Sequence, residues 1–516
     1  MTQALKTHSP WLGLSLVLLS FIIRLMNATI TSTELPALES DLGVSGPTAE
    51  LTMTLFLAVA GALVAPMGML ADRYGRVRVF SYGAVAMIVA NAGSALAPNF
   101  GVLLVTRVAE AVAFPAMGAA SLALVASTFT DAKQRSRAFA AYGACYGVAV
   151  ALAGVLGGIF ATDLSWRWSF AMNIPFLLIA LIGVNRLLRR DDDPHPEREL
   201  DWWGTAALTV GVSGLLFGIQ RLPETGFDVV TVGLLLTAAI GLVGFLVWER
   251  YRSRAGHQVL LDPQLFASAS FPAAVSVSGL MMFGAFALFT VMPLFWGLVA
   301  GATPLQVGIG LLPLGVGWSL GAILAAPLGS RWGDRLAVAI ALLTAAAMAA
   351  AAAWRLPDDG AIGASAAPLA VLGIGLGVAY ARINQAGLHA VPDRLTGLGS
   401  GLLIGTRFLA AALGAAVLSQ LMMWSATSLA RDTIAADSTL TVEQRDQAQH
   451  AVTAAARGRY GPLLAVESRP SDATSAQELR DSYTDAARGT LLAAGLFLLL
   501  GAAATRDFPG RASRDS

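Results

Sequence analysis

Polar and apolar residues fall along this chain in long blocks rather than at the spacing of an amphipathic helix or strand. Apolar runs occupy residues 11–33, 49–70, 79–97, 101–127, 138–161, 168–187, 203–220, 229–248, 270–297, 304–327, 336–354, 365–388, 398–424 and 488–505. Each is close to the roughly twenty residues an α-helix needs to cross the hydrocarbon of a bilayer. Charged residues are concentrated in the short segments between them. The pattern predicts an all-α polytopic membrane protein with fourteen spanning helices. Glycine and proline inside several runs are compatible with this, because neighbouring helices and waters re-satisfy the freed backbone groups. The 53 glycines also let helix backbones approach closely, as packing in lipid requires. One segment breaks the rhythm: residues 425–487 are polar with mixed charges. Within it Val442–Arg457 has helical composition, and both a short amphipathic hairpin over the outer mouth and a solvated loop are open readings.

Composition excludes several classes. Of 516 residues, 56% are apolar and only 13% charged, where a soluble chain has about a quarter charged. The formal net charge of +1 carries no nucleic-acid signal. A single cysteine, Cys145, rules out an internal disulfide and a cysteine-rich metal site, and the five histidines are scattered. Lys6 and the apolar stretch from Trp11 could suggest a cleaved signal. Arg24 inside the run and its length past Ile23 favour a first spanning helix instead. Aromatic Trp11, Trp202, Trp203, Trp248, Trp354 and Trp424 sit near run ends, where interfacial rings belong. Trp296 and Trp318 lie deeper.

Basic residues set the expected orientation. Alternate loops, with the two termini, hold 20 Lys and Arg, from Arg73, Arg76 and Arg78 through Arg250, Arg252 and Arg254 to Arg506. The short loops on the other side hold Arg167, Arg221 and Arg355. The excess places both termini in the cytoplasm, and an even helix number is then required. The chain also repeats: Ala65-Pro66-Met67-Gly68 is followed by Asp72 and Arg73, and Ala326-Pro327-Leu328-Gly329 by Asp334 and Arg335. This predicts an N-terminal six-helix half at 1–187, a linker with two additional helices at 188–268, and a C-terminal half at 269–516. A substrate site between such halves near the midplane is a recurrent transporter arrangement.

Gly68-Met69-Leu70-Ala71-Asp72-Arg73-Tyr74-Gly75-Arg76-Val77-Arg78 resembles the loop between helices 2 and 3 of the major facilitator superfamily. Gly68 allows close helix contact, and Gly75 a tight turn. Asp72, with Arg73 and Arg76 beside it, can pair with arginines or a neighbouring helix end as a conformational latch. Trp166-Arg167-Trp168-Ser169-Phe170-Ala171-Met172-Asn173-Ile174-Pro175 resembles the start of helix 6 in the fourteen-helix drug:proton antiporters of that superfamily. Met26-Asn27-Ala28-Thr29-Ile30 with Leu35-Pro36 resembles their first helix, and Gly399 and Arg407 match the helix 13 region. The resemblance spans essentially the whole chain. It implies the major facilitator fold, a bacterial cytoplasmic membrane location, and export of small organic molecules driven by a proton gradient without any cofactor.

The chain departs from that pattern in three places. Asn27 stands where the branch has an acidic residue, with Glu34 seven residues on. Glu110-Ala111 replaces Gln-Gly after Arg107. The helix 5 signature reads Ala153-Gly154-Val155-Leu156-Gly157-Gly158, without its proline, although Gly154 still permits a kink.

Ionisable residues inside membrane runs are expensive, so each is a functional candidate. Arg107 and Glu110 share one helical face, either as a static ion pair or with Glu110 taking a proton during transport. Glu34 is expected near the outer end of the first helix, solvated or as a second coupling carboxylate. Arg24, Asn27, Arg107 and Arg382 are candidates for lining the cavity, and Arg407 for tethering helices through backbone carbonyls. Four interior arginines against two glutamates predict a positive cavity suited to an anionic or zwitterionic substrate. An exporter or flippase of lipids and amphiphiles, and a transporter-like sensor or scaffold, are the competing readings. No nucleotide-binding loop and no set of nucleophile and base point to an enzyme, and oligomeric state is not encoded legibly.

Overall fold

The computed structural model describes residues 10–44, 46–129, 131–188, 201–357, 360–389, 391–392, 395–436 and 473–508, with 441, 445–446, 449–450 and 452 between the last two stretches. Helices make up the chain, with no strand among the described residues: α1 (Pro10–Leu42), α2 (Gly46–Tyr74), α3 (Arg76–Ala95), α4 (Phe100–Thr128), α5 (Ala132–Thr162), α6 (Arg167–Ala171), α7 (Asn173–Leu187), α8 (Trp202–Thr225), α9 (Val229–Arg254), α10 (Ser270–Val299), α11 (Pro304–Trp354), α12 (Ala366–His389), α13 (Thr396–Ala436) and α14 (Ala473–Ala503).

Twelve helical segments are long and apolar enough to cross a membrane, with α6 and α7 forming one of them. The 51-residue α11 counts once among these, yet Gly333, at φ 80 and ψ 168, breaks it into 304–332 and 334–354. The 20-residue α3, whose polar Ser81, Asn91 and Ser94 dilute its apolar character, supplies one more. Among the described residues the crossings therefore number fourteen, as the apolar runs predict. Two expectations change. The polar segment between α13 and α14 is shorter than 425–487, because α13 continues to Ala436 and α14 begins at Ala473; most of Val442–Arg457 lies outside the described residues. And α5 runs unbroken through Gly154, so that glycine serves contact rather than a kink.

Helix starts follow local chemistry. Asn99, Asp131, Asp201 and Asp228 each accept a backbone N–H of the first turn of α4, α5, α8 and α9, and Thr303 with Gln306 forms a capping box at α11. These side chains satisfy donors that a helix leaves free at its start. Trp202, Trp203 and Trp354 are exposed near helix ends, as rings at a membrane interface are; Trp424 is exposed too, but α13 continues past it.

Helices α1–α7 pack among themselves, as do α10–α14, and α9 pairs with α8, which lies against α2 and α13. The two groups meet along α5 with α11 and α2 with α13. Both seams are lined by glycine. A Cβ on Gly154 would stand 3.0 Å from the Gly308 Cα, one on Gly158 2.5 Å from the Leu305 Cα, and one on Gly401 2.7 Å from the Val64 carbonyl oxygen. Gly157 is buried beside them. The motif in α5 is thus the surface on which the other group of helices rests.

Candidate functional site

Among the described residues, three clusters of buried polar side chains hold the candidates read from the sequence. The first lies within α1–α7. Arg107 Nη1 donates to Glu110 Oε2 at 2.6 Å and to Asn27 Oδ1 at 2.8 Å. Asn27 Nδ2 donates to Asn91 Oδ1 at 2.7 Å, which also accepts from Asn173 Nδ2 at 2.8 Å. Ser94 Oγ donates to Glu110 Oε1 at 2.7 Å. The Arg107 guanidinium lies 4.5 Å from the Phe56 ring centre. All of these residues are buried. Taking an arginine and a carboxylate out of water costs several kcal/mol per ion, recovered only when geometry and further hydrogen bonds are good. Here α1, α3, α4 and α7 each contribute a partner, so the pair also ties those helices together.

Glu34 stands near this cluster, one end of its carboxylate accepting from Ser169 Oγ at 3.0 Å and the other, Oε1, without a partner. It is fully buried, which corrects the expectation of a solvated position: α1 continues past the apolar run to Leu42, and α6 covers it. Just beyond, Asp41 accepts from Arg167 Nη1 at 2.6 Å and from Trp166 Nε1 at 3.0 Å. These bonds, that to Arg167 foremost, hold its carboxyl below the usual range. The Trp166–Pro175 motif therefore supplies Asp41's two partners, Glu34's serine and the network's Asn173. Asn91, Ser94, Ser169 and Asn173 were not singled out from sequence. The last two lie in a motif that was; Asn91 and Ser94 show only as polar residues in an apolar run.

The second cluster sits where the two groups of helices meet. Tyr146 of α5 stacks on Trp318 of α11, ring centres 4.5 Å apart and planes 16° from parallel. Tyr380 of α12 lies 5.0 Å from Tyr146, and Phe21 of α1 stacks on Tyr142 at 4.1 Å. Arg24 lies 4.3 Å from the Phe114 ring centre and donates from Nη1 to the Phe114 carbonyl at 3.3 Å. Gly118 leaves it room, since a Cβ there would stand 2.8 Å from that nitrogen. Arg407 lies 4.3 Å from the Tyr380 ring centre. Its expected tethering through carbonyls is not what is found: Nε donates to Ser278 Oγ at 2.5 Å, the Tyr380 hydroxyl is its other polar neighbour, and Nη1 and Nη2 make no hydrogen bond of good geometry.

The third cluster lies at the end that carries the arginine-rich loops. Asp72, at the end of α2, accepts the backbone N–H groups of Gly397 at 3.0 Å and Leu398 at 3.1 Å. It thereby caps α13 of the other group, where the helix dipole favours a negative charge. Arg76 approaches it at 3.8 Å, and Arg73 lies over the Tyr74 ring at 5.2 Å. Gly68 faces Gly397 so closely that a Cβ would fall on its carbonyl oxygen. Gly75 makes the turn at φ 95. In the second copy of the motif Asp334 pairs with Arg382, which also donates to Gln385 at 2.7 Å and to Ser136 of α5 at 3.5 Å. Arg382, expected from its run as a cavity cation, thus has an acidic partner at the end that carries the arginine-rich loops. Asn27 and Arg107 belong to the network within α1–α7 and not to the meeting surface; Arg24 lies in its aromatic cluster, and Arg382 at its end beside the arginine-rich loops.

Among the described residues no group of His, Cys, Asp and Glu is placed to hold a metal ion. The family model of the Major Facilitator Superfamily matches residues 17–415. The puromycin resistance protein pur8 of Streptomyces alboniger is 29% identical over 485 residues, covering 93% of each chain. The drug efflux pump JefA of Mycobacterium tuberculosis is 29% identical over 71% of this chain and 72% of its own. A probable actinorhodin transporter of Streptomyces coelicolor is 28% identical over 80% and 72%. In fold, the chain is similar to the human organic anion transporter MFSD10 (TETRAN), with a TM-score of 0.58 and 14% identity over 95% of this chain and 99% of that one. With the repeated latch motif, the glycine seams and this match over most of its length, the chain belongs to the major facilitator superfamily of membrane transporters.

Proposed function

We propose that the protein is a proton-coupled exporter of small organic molecules in a bacterial cytoplasmic membrane, working by alternating access with both termini in the cytoplasm. The halves at 1–187 and 269–516 rock against each other, and 188–268 supplies the two additional helices. The observation that carries the reading is Asp72 capping α13 across the two groups of helices. A carboxylate on backbone N–H groups holds that end shut with bonds that can be broken and remade, and the glycine seams let the helices part and close without repacking large side chains. Glu110 and Glu34 are the proton-coupling residues, because they are carboxylates buried within α1–α7 near Arg107 and away from the loop ends. Relatives described as a puromycin resistance protein and a drug efflux pump support export of organic compounds. The arginines of the meeting surface favour an anionic or zwitterionic one.

Purified protein in liposomes with an imposed pH gradient and an internal pH dye tests this. Addition of a transported compound should move protons, and Glu110→Gln should abolish that flux while compound still binds. Full flux in Glu110→Gln and Glu34→Gln would remove proton coupling from the proposal. No flux with any compound of a broad panel would favour the sensor reading.

A further inference from the structure

Four arginines lie in the helical interior, and their partners divide them. Arg107 is neutralised by Glu110, and Arg382 by Asp334. Arg24 and Arg407 have no ion pair among the described residues, and both sit in the aromatic cluster where the two groups of helices meet. The ionisable groups set around them are the neutral Tyr142, Tyr146 and Tyr380 hydroxyls rather than carboxylates.

Buried polar atoms without a partner are rare in folded proteins, and each calls for an explanation. In the aromatic cluster they are Arg407 Nη1 and Nη2, Trp318 Nε1, and Asn384 Nδ2 and Oδ1, with the Tyr380 hydroxyl set beside both Arg407 and Asn384. Four of the five are donors, and the guanidinium presents its two terminal nitrogens as an open fork. Arginine in that state matches a carboxylate, which accepts two parallel N–H bonds. A cation would meet two guanidinium groups and no acidic side chain.

The rings around the fork define the rest of the ligand. Tyr146 belongs to one group of helices and Trp318 to the other, yet they stack face to face. When the groups part, that stack separates and leaves a slot walled by a tyrosine face and a tryptophan face. A planar ring can fill it with the offset-stacked contacts the two side chains make with each other in the closed state.

We infer that Arg407, Trp318, Asn384, Tyr146 and Arg24 form the binding site of a planar aromatic carboxylate, the fork of Arg407 taking the carboxylate and the Tyr146–Trp318 stack opening to take the ring. This rests on the alternating-access reading for the opening of the stack and on the export reading for the direction of movement, but not on proton coupling.

The test is calorimetric titration of the full-length protein in lipid nanodiscs with 2-naphthoate, 2-naphthamide, 2-naphthylmethylammonium and the non-planar decalin-2-carboxylate. Naphthoate should bind about tenfold or more tightly than each of the others, the scale of a hydrogen bond to a charged group. Arg407→Gln should bring naphthoate down to the level of the amide, and Trp318→Leu should weaken naphthoate while leaving decalin carboxylate unchanged. Equal binding of the ammonium or amide, unchanged naphthoate affinity in Arg407→Gln, or no binding of any of the four compounds overturns the proposal. Should Arg407→Gln fail to fold, the comparison of four ligands on the unaltered protein still decides. Naphthoate binding that depends on Arg407, without proton flux in liposomes, would sink the coupled-export reading and leave this site standing.

Discussion

Arg107 and Glu110, one helical turn apart on α4, hold their charges 2.6 Å from each other with neither side chain exposed. Around them Asn27 shares the arginine, Ser94 shares the carboxylate, and Asn91 links Asn27 to Asn173.

Removing one member leaves an uncompensated charge in a dry interior, whereas removing both does not. Arg107→Met should therefore destabilise the protein by about 3–5 kcal/mol, the cost of breaking a buried pair. The double variant Arg107→Met/Glu110→Leu should recover much of that loss. Melting temperatures of the detergent-purified single and double variants check this. A double variant less stable than either single would mean that the pair holds α4 by more than mutual neutralisation.

The Asp72 latch gives a conformational prediction. Asparagine offers one carbonyl oxygen in place of two carboxylate oxygens, so Asp72→Asn can keep only one of the bonds from Gly397 and Leu398 and loses the charge at the helix start. A hydrogen bond to a charged group contributes about 1.5–3 kcal/mol, enough to change the closed fraction about tenfold or more. Ser400, which bonds the Ala119 carbonyl across the same seam at 3.2 Å and is buried, reports on it. With Cys145→Ala as background, a Ser400→Cys protein should react with a maleimide about tenfold faster once Asp72→Asn is added. Equal reaction rates would show that the latch does not hold this end closed.

What could be read from the sequence, and what could not, follows from how membrane helices encode structure. The fourteen crossings were legible because span length is imposed by the bilayer. The turn at Gly75 was legible too, as a glycine in the loop motif that follows Asp72, whereas Gly333 was not singled out although it precedes Asp334 of the second copy. The partners of interior charges were not legible. A helix that faces lipid on one side and protein on the other is apolar all round, so its sequence does not say which face looks inward. Arg382 and Arg24 read alike as arginines in apolar runs. Only the packing of α12 against the second segment of α11 gives Arg382 an aspartate 48 residues away, while Arg24 meets aromatic faces and a carbonyl. Glu34 read as solvent-facing because its run ended at residue 33, where the helix itself does not.

Stability should respond to acid at the α8–α9 turn. Asp228 caps α9, with Oδ1 accepting from Thr231 N at 2.7 Å and Oδ2 from Arg221 Nη2 at 3.1 Å. The backbone bond to Thr231 is foremost in holding its carboxyl down to about 2. A folded value below that of the unfolded chain, about 3.9, means stability present in full above that pH and lost as pH falls through the folded value. Asp228→Ala should therefore melt slightly below the unaltered protein at pH 7, with the difference shrinking between about pH 4 and about pH 2. A difference that stays constant over that window would assign the effect to packing rather than to the charged cap.

The break in α11 carries the strongest backbone prediction. Gly333 adopts φ 80 and ψ 168, a region open essentially to glycine, where another residue costs about 1–3 kcal/mol. Alanine there faces two outcomes. It can keep the turn under strain, or it can continue the helix, which at 51 residues would run to about 75 Å. The apolar core of a bilayer is about 30 Å thick, so the straight form would drive one of the two crossings out of it and separate Asp334 from Arg382. Gly333→Ala should consequently lower the melting temperature and the yield of monodisperse protein. Gly297 provides the comparison: it lies inside α10 in ordinary helical conformation with nothing within 4 Å of an added Cβ. Gly297→Ala should be neutral or slightly stabilising, because alanine is the better helix former by about 1 kcal/mol. If both substitutions cost the same, the two crossings of α11 are not held apart by the conformation of Gly333, and the turn must be fixed by the packing of Asp334 and Arg382 instead.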